Sequence, residues 1–277
     1  MTRHRFHQLD VFSAVPLKGN PLAVVHDAQG LADDTMAAFA RWTNLSETTF
    51  LLPPTDPAAD YQVRIFTPAG ELPFAGHPTL GSCHAWLAAG GVPRDPAVIV
   101  QQCGVGPVRI RRNGGRLAFA APPLRRSGPL EDDLLDRIIG GLGLSRADVL
   151  HHQWVDNGPG WCAVMLASAE QVLAARPDWP RLDGIKLGLV GAHVAGHEAQ
   201  FEVRALIGDG YYEDPVTGSL NASIAQWLMG AGLAPRSYVA AQGALLQRAG
   251  RVYLENSSDT VWVGGDVVVC IEGEVAL

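Results

Sequence analysis

GHPTLGSCHAWLAAGGV, residues 76–92, and TGSLNASIAQWLMGAGL, residues 217–233, read as two versions of one segment. Set 141 positions apart, Ser82, Trp86, Leu87 and Gly91 meet Ser223, Trp227, Leu228 and Gly232. Both open on small residues, run apolar nearly all round and close on glycine. A helix without a polar face is a buried helix. Two such helices, each following an acidic strand-end loop (TPAGELPFA and IGDGYYEDPV), predict an internal repeat. The fold class that follows is α+β: two similar domains, each a curved, mainly antiparallel sheet wrapped around one central buried helix.

Outward from these helices the chain reads mostly as strands. HQLDVFS and LAVVHD are strands split by the turn-like AVPLKGNP. DDTMAAFARWTN predicts a helix capped by Asp33 or Asp34, with Met36, Phe39 and Ala40 on one face. TTFLLP, YQVRIFTP, AVIVQQ, VRIRR and RLAFAAP follow as strands, and Asn113-Gly114-Gly115 marks a hairpin between the last two. AAPPLRRSGPL, 120–130, is the linker candidate. A helix is expected over 131–143, then strands at QWVD, WCAVML, IKLGLV and QFEVRALI, and a helix starting near Ser219. The expected N-terminal lobe is 1–122 with a returning C-terminal strand near 265–277. The expected C-terminal lobe is 123–264, with the active-site cleft between the lobes.

The 277 residues are 47% hydrophobic and 18% charged, enough for a sizeable core. A net charge of −7 and a pI near 5.7 argue against nucleic acid or an anionic membrane as partner, since both select basic surfaces. No apolar run approaches the roughly 18 residues of a membrane-spanning helix. MTRHRFHQLDVF has neither the apolar segment nor the cleavage site of a secretion signal. Cys83, Cys103, Cys162 and Cys270 show no paired spacing, so reduced thiols and a cytoplasmic location are expected.

The chemistry concentrates where the two buried helices begin. Pro78 suits a first helical position and makes His77 the expected cap, while Thr217 or Ser219 suits the cap of the second helix. Gly76 and Gly218 keep both approaches open. Free backbone N–H groups and the helix dipole favour an anion there, and a small carboxylate fits. NLSETTF, 44–50, sets Glu47 where a polar loop turns into an apolar strand. A carboxyl in a partly dry site can exchange a proton with a carbon acid. The alternative is a solvated strand-edge residue. His77 can hold a substrate oxygen or shuttle a proton, or simply cap. Asp214 can orient His77 or bind substrate, or cap its own helix, and Ser219 can donate to a carboxylate. TGSLN is not a nucleophile elbow, which disfavours a serine hydrolase. CGVGP at 103 and GGLGLS at 140 carry no site, HH at 151 lacks a metal-spaced partner, and His193 and His197 lie in a loop-like context that disfavours a metal site.

DVFSAVPLKGNPLAVV, NLSETTF, IFTPAGELPFAGHPTLG and EDPVTGS occur in this order, and the closing VWVGGDVVVCIEGEVAL completes the set. Together, from about residue 8 to the C-terminus, they resemble the phenazine-biosynthesis PhzF-like isomerase family, which shares its fold with diaminopimelate epimerase. The resemblance implies a cofactor-independent isomerase, without metal, that moves a proton between carbons of a small carboxylate, usually as a homodimer. It matches the family's acid/base glutamate to Glu47, its histidine to His77, and its aspartate and serine to Asp214 and Ser219. The related epimerases use two opposed thiols, and neither helix mouth here carries cysteine. Two rival readings remain: an amino-acid epimerase using Glu47 with another base, and a non-catalytic carboxylate-binding protein. Phe74, Leu72, Trp154, Trp161, Tyr211 and Tyr212 are candidate pocket or core residues.

Overall fold

A computed structural model describes residues 2–113 and 115–277. They divide into two compact units, Met1–Ala120 with Gly264–Leu277, and Ala121–Val263.

In the first unit β1 (Arg3–Val11) runs antiparallel to β2 (Asn20–Val25). α1 (Asp33–Thr43) carries the chain to β3 (Glu47–Leu52), which lies parallel to β2. β4 (Tyr61–Thr67) and β5 (Gly70–Leu72) fold back antiparallel. α2 (Gly76–Ala88) then crosses to β6 (Val98–Cys103), parallel to β4. β7 (Gly106–Asn113) and β8 (Arg116–Ala120) complete a meander, with Asn113 opposite Arg116. Of the expected hairpin turn, Gly114 lies outside the described residues.

The second unit starts with β9 (Arg126–Gly128), α3 (Asp132–Leu142) and β10 (Val149–Asp156), the last antiparallel to β9. β11 (Trp161–Leu166) pairs antiparallel with β10. After α4 (Ala169–Ala174) and α5 (Trp179–Leu182), β12 (Lys186–Ala192) lies parallel to β11. β13 (Phe201–Ile207) and β14 (Tyr212–Asp214) fold back, and α6 (Gly218–Gly230) crosses to β15 (Ser237–Gln242), parallel to β13. β16 (Gly250–Ser257) follows antiparallel. The chain leaves through β17 (Thr260–Gly265) and closes with β18 (Val267–Ala276) against β1.

The pairings repeat. In each unit an antiparallel pair is followed by a parallel strand, two antiparallel returns, and a long helix leading to a second parallel strand. α2 and α6 each span 13 residues and are mostly buried, the all-round burial that their apolar sequences require. Two of their buried serines are satisfied internally. Ser82 donates to Thr49 Oγ1 at 2.9 Å, and Ser223 donates to the Leu220 carbonyl at 3.0 Å. One further match extends the repeat. Gln101 and Gln242, again 141 apart, are buried on β6 and β15. Gln101 bridges Tyr61 and Thr79 of α2, and Gln242 bridges Thr217 and Asn221 at the start of α6.

Two expected caps are corrected. α1 begins at Asp33 after Ala32, and neither aspartate caps it. Asp33 instead reaches Arg64 Nη1 at 2.6 Å, and both acids lie in the first turn, where the dipole favours them. α2 begins at Gly76 after Ala75, so His77 is its second residue rather than its cap, and Pro78 is the third. Pro78 costs nothing there because first-turn N–H groups have no helical partner. Met36, Phe39 and Ala40 are the buried face of α1, as the periodicity predicts.

Candidate active site

Glu47 opens β3 opposite Leu22 of β2. Two residues on, Thr49 accepts from Ser82 of α2, so this face of β3 packs on that helix. Glu47 shares the face and lies over the helix's first turn. Its Oε2 is 3.4 Å from His77 Nε2, with the two side chains 15% and 6% exposed. Sequence reasoning named both residues, and the fold joins them.

His77 is not a cation here. Burial is the larger influence and pushes its imidazole down to about 3, against a smaller opposing effect from a hydrogen bond with the Pro21 backbone. Proline offers a carbonyl and no N–H, so the imidazole donates to it. The contact with Glu47 is therefore not an ion pair at neutral pH. A neutral imidazole has one donor and one acceptor nitrogen. With the donor engaged by Pro21, the other nitrogen can take a proton offered by the carboxyl group. Because the folded value lies below the ordinary 6.5, this histidine's contribution to stability is present above that pH and is lost as pH falls from 6.5 towards 3. Its ring resonances are expected to stay constant between pH 5 and 9 in an NMR titration. A midpoint near 6.5 would contradict the buried neutral form.

In the second unit Asp214 ends β14 opposite Ala205. Its Oδ2 accepts from the Thr217 hydroxyl. Gln242 locks this turn, because its Nε2 donates to the Asp214 carbonyl and to Thr217 Oγ1, both at 3.0 Å. Its Oε1 receives the Thr217 N–H at 3.0 Å and Asn221 Nδ2 at 2.7 Å. Thr217 is the N-cap residue of α6 by position, but its hydroxyl serves Asp214 rather than the helix. Ser219, the second residue of α6, is gripped from the turn between β10 and β11. The Trp161 indole N–H donates to Ser219 Oγ at 3.0 Å, and Asn157 Nδ2 donates to the Ser219 carbonyl at 2.9 Å. Gly76 and Gly218 are the first residues of α2 and α6, both buried.

Sequence reasoning missed Gln242, Thr217 as a partner of Asp214, Asn157, and Arg204. Arg204 of β13 is 3% exposed and holds both carboxylate oxygens of Glu213, the neighbour of Asp214. Its Nη1 also donates to the Val172 and Ala175 carbonyls. Only the 141-residue offset could have flagged Gln242, and no local pattern marks the others.

His193 and His197 are stacked on each other with ring centroids 3.9 Å apart. His193 Nε2 lies 3.1 Å from Glu202 Oε2. Among the described residues no cluster of three or more ligand-type side chains suits a metal ion. Burial lifts Glu202 to about 7. Its folded value thus exceeds its unfolded one, so its contribution is full at acid pH and is lost as pH rises from about 4.5 to 7. Glu202→Gln is expected to be more stable than the parent at pH 8, by on the order of 3 kcal/mol, and equal to it near pH 4. Urea unfolding at both pH values checks this. Cys83 and Cys162 are buried thiols that burial pushes up to about 12, far from a thiolate base.

The family model described as phenazine biosynthesis-like protein matches residues 9–273. Antisense-enhancing sequence 1 of Schizosaccharomyces pombe is 34% identical over 99% of both chains. Trans-2,3-dihydro-3-hydroxyanthranilate isomerase of Pseudomonas aeruginosa is 35% identical over 63% of this chain and 62% of its own. A crystal structure of a PhzF-family phenazine biosynthesis protein from Enterococcus faecalis superposes with a TM-score of 0.83, covering 100% of each chain at 23% identity.

Proposed function

The chain belongs to the phenazine biosynthesis-like family and is an isomerase, and from that premise we propose that it works by glutamate acid/base catalysis on a small carboxylate. Glu47 takes a proton from a carbon made acidic by neighbouring unsaturation or a carbonyl, and returns it to a second carbon. No cofactor takes part. The observation that carries this reading is the 3.4 Å approach of Glu47 Oε2 to His77 Nε2, a neutral acceptor. The carboxyl group thus has somewhere to share its proton between removal and return. In the second unit Asp214, fixed by Thr217 and Gln242, is our candidate for steadying the rearranging electrons. Gly76 in the first unit, and Gly218 with Ser219 in the second, each open a helix start whose backbone N–H groups suit a carboxylate, and the serine hydroxyl adds a donor. We also assign it to the cytoplasm as a homodimer.

A two-thiol epimerase finds no support, because Cys83 is the only cysteine of α2, α6 has none, and burial keeps the Cys83 thiol protonated. The test is proton NMR in deuterium oxide with trans-2,3-dihydro-3-hydroxyanthranilate, the substrate named by the Pseudomonas relative, and then with small unsaturated carboxylates. Movement of one proton with deuterium incorporation supports the reading. A panel without exchange overturns it.

A further inference from the structure

We infer that Lys186 is a substrate-binding residue that supplies the positive charge for the substrate carboxylate beside Ser219, with Trp161 positioning the Ser219 hydroxyl. The inference deepens the proposed function and rests on its carboxylate substrate.

Of the 21 basic residues other than histidine, only Lys18 and Lys186 are lysines. Lys186 is half-buried at the start of β12. Among the described residues its ammonium group has no carboxylate partner, whereas the buried Arg204 is paired with Glu213. Keeping a charge half-buried and unpaired is costly unless a ligand completes it.

The repeated topology locates it. β3 lies parallel to β2 and antiparallel to β4, and β12 lies parallel to β11 and antiparallel to β13. Glu47 is the first residue of β3, one before the Thr48–Phe66 pair near the end of β4. Lys186 is the first residue of β12, opposite Ile207 at the end of β13. Lys186 therefore holds in the second unit the strand position that Glu47 holds in the first.

The face it shares is known from its neighbours. Gly188, two residues on, packs on α6 so closely that a Cβ there would stand 2.6 Å from Leu220 Cδ1. Alternate residues of a strand share a face, so Lys186 is on the α6 side. Its register partner across β11 is Trp161, whose indole reaches Ser219 in the first turn of α6. The indole can only donate, so it occupies a lone pair of Ser219 Oγ and leaves the hydroxyl proton to be given elsewhere. Ser219 is thereby set as a donor, and the lysine on the same face is a charged donor. Two such groups select an oxyanion over a neutral amide or an ammonium.

Calorimetric titration of the full chain with anthranilate and with its neutral carboxamide tests this. Anthranilate keeps the amino-carboxylate pattern of the relative's named substrate on an aromatic ring. The parent chain is expected to prefer anthranilate. Lys186→Met is expected to weaken anthranilate about 10- to 100-fold, the loss of one charge-assisted hydrogen bond, while changing the carboxamide little. Lys186→Arg should recover most of the preference. Trp161→Phe keeps an aromatic, smaller ring but removes the N–H, and should weaken anthranilate several-fold more than the carboxamide. A Lys186→Met chain with the parent's preference, or a parent without preference, overturns the assignment. Deuterium exchange in Glu47→Gln tests proton transfer separately, and its result does not enter the ratio of anthranilate to carboxamide binding.

Discussion

Glu47→Gln is expected to lower the rate of solvent-deuterium incorporation by about 10²- to 10⁴-fold, the usual worth of a positioned acid/base group. The amide matches the carboxyl in shape but can neither take nor return a proton. Glu47 is the first residue of β3, and its backbone pairing in the sheet does not depend on the side chain. Cooperative thermal unfolding should therefore survive the change. Glu47→Asp draws the carboxyl back by one methylene from His77 Nε2, now 3.4 Å away. A displacement of about 1 Å in a reacting group can cost about 10²-fold, so this variant should retain a small, measurable rate. Parent-like exchange in Glu47→Gln, with the fold intact by circular dichroism, would remove Glu47 from the reaction.

The second large effect is expected at Arg204, which touches no proposed substrate group. Arg204 and Glu213 have side chains only 4% and 7% exposed and meet at 2.8 Å. Removing one partner of a buried ion pair strands the other charge and costs about 3–5 kcal/mol. For a chain of this size that corresponds to a fall in melting temperature of about 10 °C. Arg204→Met should show this fall, and Arg204→Met with Glu213→Leu should regain part of it, because neither charge of the pair is then left stranded, while the Val172 and Ala175 carbonyls still lack their donor. The pair also ties the three-residue strand β14 to β13 and to the carbonyls of Val172 and Ala175. Asp214 ends that strand, so the stable double variant should still lose activity. A double variant with full activity would show that Asp214 needs no such anchor.

Much of this was legible in the sequence because it is local. Helical burial is written in consecutive residues, so the two all-apolar segments betrayed α2 and α6 directly. Glu47, His77, Asp214 and Ser219 sit beside glycines and prolines at strand and helix ends, where polar residues stand out against apolar runs. Trp161 read equally well as core or pocket, because a tryptophan looks alike in both until its N–H finds a partner. The caps of α1 and α2 were misplaced for a related reason. Asp33 and His77 have cap-like neighbours, but the partners that claim them, Arg64 and Pro21, lie far away in sequence.

The sequence by itself determined the repeat, the two buried helices and the residue types at their starts, since periodicity and turn chemistry act over a few residues. Only the tertiary structure decided which strand end stands over which helix. That choice set Glu47 against His77, put Trp161 on Ser219, and gave Lys186 the strand position in its own unit that Glu47 has in the other. Register is fixed by pairing across dozens of residues and by buried hydrogen bonds such as those of Gln101 and Gln242, and no local pattern encodes it.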